Sequence, residues 1–158
     1  MRIQQYNLVL DEKEKATLVR ESGRNYSGVE HLDSPGNVAR LMRDVFKLHE
    51  RAEEYVYLVC TNAKCKPTGF FEVSHGTCGY ALISPREILI RALLCGAVCI
   101  LLVHNHPGGD PFPSREDDAL TMRMKEAAQL INMNLCDHII IGGESYYSYK
   151  EQGNIWNV

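Results

Sequence analysis

The densest chemistry in the chain lies in His104-Asn105-His106-Pro107-Gly108-Gly109-Asp110-Pro111-Phe112-Pro113-Ser114-Arg115-Glu116-Asp117. Two histidines at i and i+2 precede a loop rich in Pro and Gly, and Asp117 follows Ser114 by three residues. Along a strand, residues i and i+2 point to the same face. A strand ending at His104-Asn105-His106 therefore aims both imidazoles at one point. Two neutral imidazoles and a carboxylate form the kind of three-ligand set that catalytic zinc uses, with a fourth position kept for water. Zinc in such a site lowers the pKa of that water to about 7. The residues predict a zinc hydrolase site with His104, His106 and Asp117 as metal ligands. Hydrolysis also needs a group to take a proton from water and return it to the leaving group, a task suited to Glu. It needs a donor for the oxyanion as well, for which the Ser114 hydroxyl is a candidate.

The flanking residues predict the elements that hold this set. The run Ala97–Val103 is apolar without alternation, as in a strand buried on both faces. Ser114 suits a helix N-cap, and Leu120, Met124, Ala127 and Ile131 follow at helical spacing. Asp117 then lies in the first turn, where the helix dipole favours its charge. Upstream, Ser34-Pro35 opens a helix through about residue 50, carrying Val38, Leu41, Met42, Val45 and Leu48. Tyr55–Cys60 and residues 69–74 read as a hairpin about a turn at 61–64, with His75 in the loop that follows. Ser84-Pro85-Arg86-Glu87 is a capping-box pattern opening a helix with Ile88, Ala92 and Cys95, ending near Gly96. Leu135–Ile141 and Ser145–Lys150 read as strands about a Gly142-Gly143 turn, and Gly153–Val158 as a tail or edge. Residues 1–30 alternate weakly and predict an N-terminal arm or hairpin; residues 31–158 form the main domain. The order predicts an α/β fold, a mixed β-sheet with packed helices.

A length of 158 residues suits one domain with a proper core. Formal net charge is −3, with nine basic and nine acidic residues in 1–53 and eight and eleven in the rest. No Lys/Arg cluster interrupts that balance, so nucleic acid is a partner that the charge does not support. No apolar segment approaches the roughly 18 residues of a membrane helix. Met1–Gln5 lacks the apolar core of a signal peptide, so a cytoplasmic location is expected. Most of the six cysteines sit inside apolar runs, and no C-x-x-C pair points to a cysteine-bound metal.

The spacing His-x-His, seven residues, Ser, two residues, Asp resembles the metal motif of the JAMM/MPN (JAB) metalloprotease superfamily. The surrounding residues resemble its RadC-like branch over residues 31–150. His-Asn-His-Pro stands at 104–107, Gly-Asp-Pro at 109–111 and Pro-Ser-x-x-Asp at 113–117. Glu54-Tyr55 opens a strand, Pro85-Arg86-Glu87 opens a helix, and Asp137-His138-Ile139-Ile140-Ile141-Gly142 stands near the end. The resemblance implies a single JAMM/MPN domain of cytidine-deaminase-like fold that binds Zn²⁺ through His104, His106 and Asp117. It implies Ser114 orienting the intermediate and Glu54 as general acid/base; the adjacent Glu53 falls on the opposite face of a strand. The function so implied is metallopeptidase or isopeptidase hydrolysis of a peptide or isopeptide substrate. The alternative is a non-catalytic binding or scaffold protein in DNA repair or mobile-element processing. Two departures stand out: Gly108 replaces a Ser more common in this branch, and residues 1–33 are too short and polar for the branch's helix-hairpin-helix module. Asp137-His138 reads first as a structural hydrogen-bonded pair and second as a group behind the site or facing substrate. Phe112 either contacts substrate or packs. The sequence fixes no oligomeric state, though exposed strand edges would allow a dimer.

Overall fold

The apolar runs become the middle of a sheet in the computed structural model, which describes residues 1–76 and 83–153. The strands are β1 (Arg2–Leu10), β2 (Ala16–Asn25), β3 (Glu54–Thr61), β4 (Pro67–Gly76), β5 (Cys99–Asn105), β6 (Asn134–Gly142) and β7 (Ser145–Ser148). The helices are α1 (Pro35–Phe46), α2 (Pro85–Leu94), α3 (Arg115–Leu130) and the short α4 (Tyr149–Gln152). The seven strands form one mixed sheet in the order β2-β1-β4-β3-β5-β6-β7. β3 runs antiparallel to β4 and β5, while β5 and β6 are parallel and α3 makes the crossover between them. The β1–β2 hairpin extends the sheet, with β1 lying parallel to β4 at Gln5 and Phe70.

Alternation along the strands divides the core in two. Tyr57, Val59, Leu101, Val103, Ile139 and Ile141 pack with Phe70 against α1 on one face. Val56, Leu58, Ile100 and Leu102 pack with Phe71 beneath α2 and α3 on the other. Between β5 and β6 the register slips by one residue: Ile100 faces Leu135, but Leu101 faces Asp137. Beyond the slip, His138 pairs with Leu102 and so points to the α3 face.

Local chemistry sets most element ends. The Ser34 hydroxyl oxygen accepts from the Asn37 N–H at 3.3 Å and opens α1. That helix closes at Phe46 and not near residue 50, because Lys47 adopts a left-handed conformation with φ 54°. A single 3₁₀ turn at Leu48–Glu50 follows and still buries Leu48. Three further expectations change. His75 belongs to β4, opposite Tyr55, and not to a loop. The last strand stops at Ser148, whose hydroxyl accepts from the Glu151 N–H at 3.0 Å and turns the chain into α4. The buried stripe of α3 runs through Asp117, Leu120, Thr121, Met124 and Ala128, leaving Ile131 exposed, because the inward side chain of Asp117 sets the helix rotation. The terminal stretch past Gly153 and Cys78 lie outside the described residues. The cysteines among the described residues are free, and no helix among them is long and apolar enough to cross a membrane.

Candidate metal centre

Three elements converge at one edge of the α3 face. Val56 of β3 stands opposite His104 of β5, so Glu54, two residues from Val56, lies on the same face just past that pair. His106 follows the end of β5, and its N–H donates to the Ile141 carbonyl at 2.9 Å, continuing the pairing with β6. Asp117 arrives from the first turn of α3 through a reciprocal cap. The Ser114 hydroxyl oxygen accepts from the Asp117 N–H at 3.2 Å, and Asp117 Oδ2 accepts from the Ser114 N–H and hydroxyl, both at 2.7 Å.

His104 Nε2 stands 3.1 Å from His106 Nε2 and 3.1 Å from Asp117 Oδ1. His106 Nε2 is 3.5 Å from Asp117 Oδ2. Glu54 Oε1 is 3.9 Å from His104 Nε2 and 3.7 Å from His106 Nε2. Donors about 2.0–2.1 Å from a tetrahedral ion stand about 3.3–3.4 Å from one another, so these separations suit a zinc-sized cation. Asp117 Oδ1 adds a second sign of fit: it is fully buried and accepts no hydrogen bond, a costly state for a carboxylate oxygen. Glu54, His104 and His106 together form a group able to hold a metal ion.

Without an ion, the electrostatics treat the two imidazoles differently. Burial pushes the His104 imidazole below its ordinary pKa, which keeps it neutral. His106, one-fifth exposed, is raised by its contact with Asp117. Burial pushes the Asp117 carboxyl up, but the two imidazoles and the Ser114 hydroxyl outweigh it and hold Asp117 below the usual carboxylate range. His106 Nδ1 donates to the Asp110 carbonyl at 2.8 Å, so in neutral His106 the Nε2 that faces the other three groups carries the lone pair.

The structure brings Glu54, His104, His106 and Asp117 together, with Ser114 beside Asp117. Glu53 is exposed and lies outside β3. The single hydroxyl proton of Ser114 is given to Asp117 Oδ2, so donation to an oxyanion requires the hydroxyl to turn away from it. Phe112 is 71% exposed, with its ring 6.0 Å from that of Tyr147. The Asp137-His138 pair divides its roles. Asp137 accepts from the N–H groups of His138 and Lys150 at 2.8 and 3.0 Å and from the Ser148 hydroxyl at 2.6 Å, knitting β6 to α4. His138 lies directly behind His104, with Nε2 2.8 Å from His104 Nδ1.

Sequence reasoning missed two supporting residues. Asn105, between the histidines, accepts from the Tyr55 N–H at 2.8 Å and donates to the Glu53 carbonyl at 3.0 Å, gripping the backbone on both sides of Glu54. Thr121, one turn after Asp117, is fully buried within the site. A polar residue at i+4 from a proposed ligand was the available signal for Thr121. The loop after His106 is seated on β6 at Gly142, where a Cβ would lie 2.5 Å from Pro111 N and 2.6 Å from Gly109 O.

Comparison with known proteins agrees with this geometry. The family profile described as RadC-like JAB domain matches residues 32–154. The chain is similar to a UPF0758 protein of Clostridium botulinum (strain Okra / Type B1), 36% identical over 148 residues that cover 94% of the chain and 62% of the relative. It is also similar to UPF0758 proteins of Pelobacter propionicus (strain DSM 2379 / NBRC 103807 / OttBd1) and Geotalea uraniireducens (strain Rf4). Each of these is 35% identical over 134 residues, covering 85% of the chain and 58% of the relative. The chain thus spans about three fifths of the length of the curated relatives it matches. With the profile covering most of its length and the histidine pair lying beside Glu54, the chain belongs to the RadC-like JAB domain family.

Proposed function

We propose that the chain is a zinc-dependent hydrolase acting on a peptide or isopeptide bond. The observation that carries this reading is the convergence of Glu54, His104, His106 and Asp117, with His104 Nε2 3.1 Å from both His106 Nε2 and Asp117 Oδ1. His104, His106 and Asp117 would hold the ion, which when bound supplies Lewis acidity toward water and a carbonyl oxygen. Glu54, 22% exposed at the rim, takes a proton from the attacking water and returns it to the leaving amine. Ser114 holds Asp117 in place and turns its proton toward the oxyanion as charge develops. Free cysteines accord with a reducing, cytoplasmic setting.

The test begins with zinc per chain, by elemental analysis of protein purified without a histidine tag. About one equivalent is expected, as for a mononuclear site, and its loss in His106→Ala is expected with it. Peptide and isopeptide substrates are then screened with wild type and Glu54→Gln. Zinc retained by Glu54→Gln with turnover lost supports the assignment, and normal turnover by that variant refutes it. Zinc bound by a wild type that turns over none of these substrates favours a metal-holding scaffold.

A further inference from the structure

His106 fixes its tautomer through a backbone carbonyl, and His104 meets a second imidazole. Its Nδ1 meets His138 Nε2 at 2.8 Å, and His138 Nδ1 meets Thr121 Oγ1 at 2.6 Å. Thr121 Oγ1 lies 2.6 Å from the carbonyl oxygen of Asp117. His104, Thr121 and His138 are all fully buried, and the ring of Tyr149 stacks on His138 with centroids 5.3 Å apart and planes 10° apart. The chain of contacts starts on the imidazole of one proposed ligand and ends on the backbone of another.

We infer that Thr121 and His138 are positioning residues that set the tautomer of His104 and leave its Nε2 bare for a metal ion. This rests on the metal-site reading above for its purpose, and on proton counting for its logic. A carbonyl oxygen only accepts, so the single Thr121 proton goes to Asp117 O. Thr121 Oγ1 then accepts from His138 Nδ1–H. A neutral His138 has its other nitrogen bare, so Nε2 accepts from His104 Nδ1–H. Neutral His104 is left with a lone pair on Nε2, the atom that faces His106 Nε2 and Asp117 Oδ1. Reversing the Thr121 hydroxyl would set two acceptors 2.6 Å apart on the Asp117 side and protonate His104 at the nitrogen that faces the site.

The direct test is the ¹⁵N imidazole spectrum of the metal-free wild-type protein, which distinguishes Nδ1–H from Nε2–H tautomers. His104 and His138 are both expected to carry the proton on Nδ1; His104 protonated at Nε2 overturns the inference. The second test is Zn²⁺ affinity by competition with a chromophoric chelator. Thr121→Val keeps the shape and removes the hydroxyl, and is expected to weaken zinc binding about 10- to 100-fold. Thr121→Ser keeps the hydroxyl and is expected to bind nearly as wild type. Wild-type affinity in Thr121→Val, or equal losses in both variants, overturns the inference. The spectrum needs neither metal nor turnover, which separates it from the hydrolase reading. A protein with these tautomers and no peptidase activity supports the inference while refuting that reading, and an active hydrolase with His104 protonated at Nε2 does the reverse.

Discussion

The two faces of the sheet are built from the same strands and serve opposite ends. On β5, Leu101 and Val103 point to the α1 face and Ile100, Leu102 and His104 to the α3 face. Beneath α1 the burial is apolar: the rings of Phe46 and Phe70 lie tilted with centroids 5.3 Å apart, and those of Phe46 and Tyr57 4.9 Å apart. Beneath α3 the apolar packing gives way, one residue past Leu102 on that face, to buried His104, Asp117, Thr121 and His138. Buried polar groups are tolerated when each has a partner. Here the partners are one another, and the residual strain falls on Asp117 Oδ1. One face is built from apolar packing, and the other gathers the polar groups proposed above to hold a cation.

That contrast is breakable by substitution. The largest stability effect is expected on the apolar face, where Phe70→Ala should cost about 3–5 kcal/mol in denaturant unfolding and leave zinc per folded chain unchanged. Lost zinc in the folded Phe70→Ala variant would mean the faces are not separable. Asp117→Asn should strike both properties. Zinc binding is expected to collapse, and metal-free stability to fall by about 1–3 kcal/mol, because the surrounding imidazoles and the Ser114 hydroxyl favour the ionised carboxyl. Zinc bound as in wild type would remove Asp117 from the proposed ligand set. Asn105→Ala removes the grip on the Glu54 backbone and should destabilise by about 1–3 kcal/mol. Its turnover should fall more than its zinc affinity, since it touches no proposed ligand through its side chain. Ser114→Ala should cost the cap about 0.5–2 kcal/mol, and equal stability to wild type would show that the Asp117 hydrogen bonds carry α3 without it.

The convergence of the two histidines with Asp117 was legible because its logic is local. His104 and His106 are two apart on a strand, and Ser114 and Asp117 three apart at a helix start, so period and capping alone bring them together. The α1 and α2 starts were legible for the same reason, through Ser34-Pro35 and Ser84-Pro85. His138 was legible only as a second reading, because its facing depends on the register slip between Ile100 and Leu101. Without that slip the alternation from Leu135 would turn His138 toward α1. Thr121 was hidden by the apolar stripe assigned to α3, whose true rotation is set by a buried carboxylate that a hydrophobic pattern cannot see. Asn105 bonds across strands to residues some fifty positions away, beyond the reach of any local rule.

The seating of the loop on Gly142 has a consequence for how the chain can drift over generations. At Gly108, in the same loop, an added Cβ would meet nothing within 4 Å, so the position has room for a side chain. At Gly142 even a methyl group would collide with the backbone of Gly109 and Pro111 and lift the Asp110 carbonyl from His106 Nδ1. The two glycines therefore tolerate a side chain unequally. One has open space around it, and the other guards the seat of His106, which it never touches.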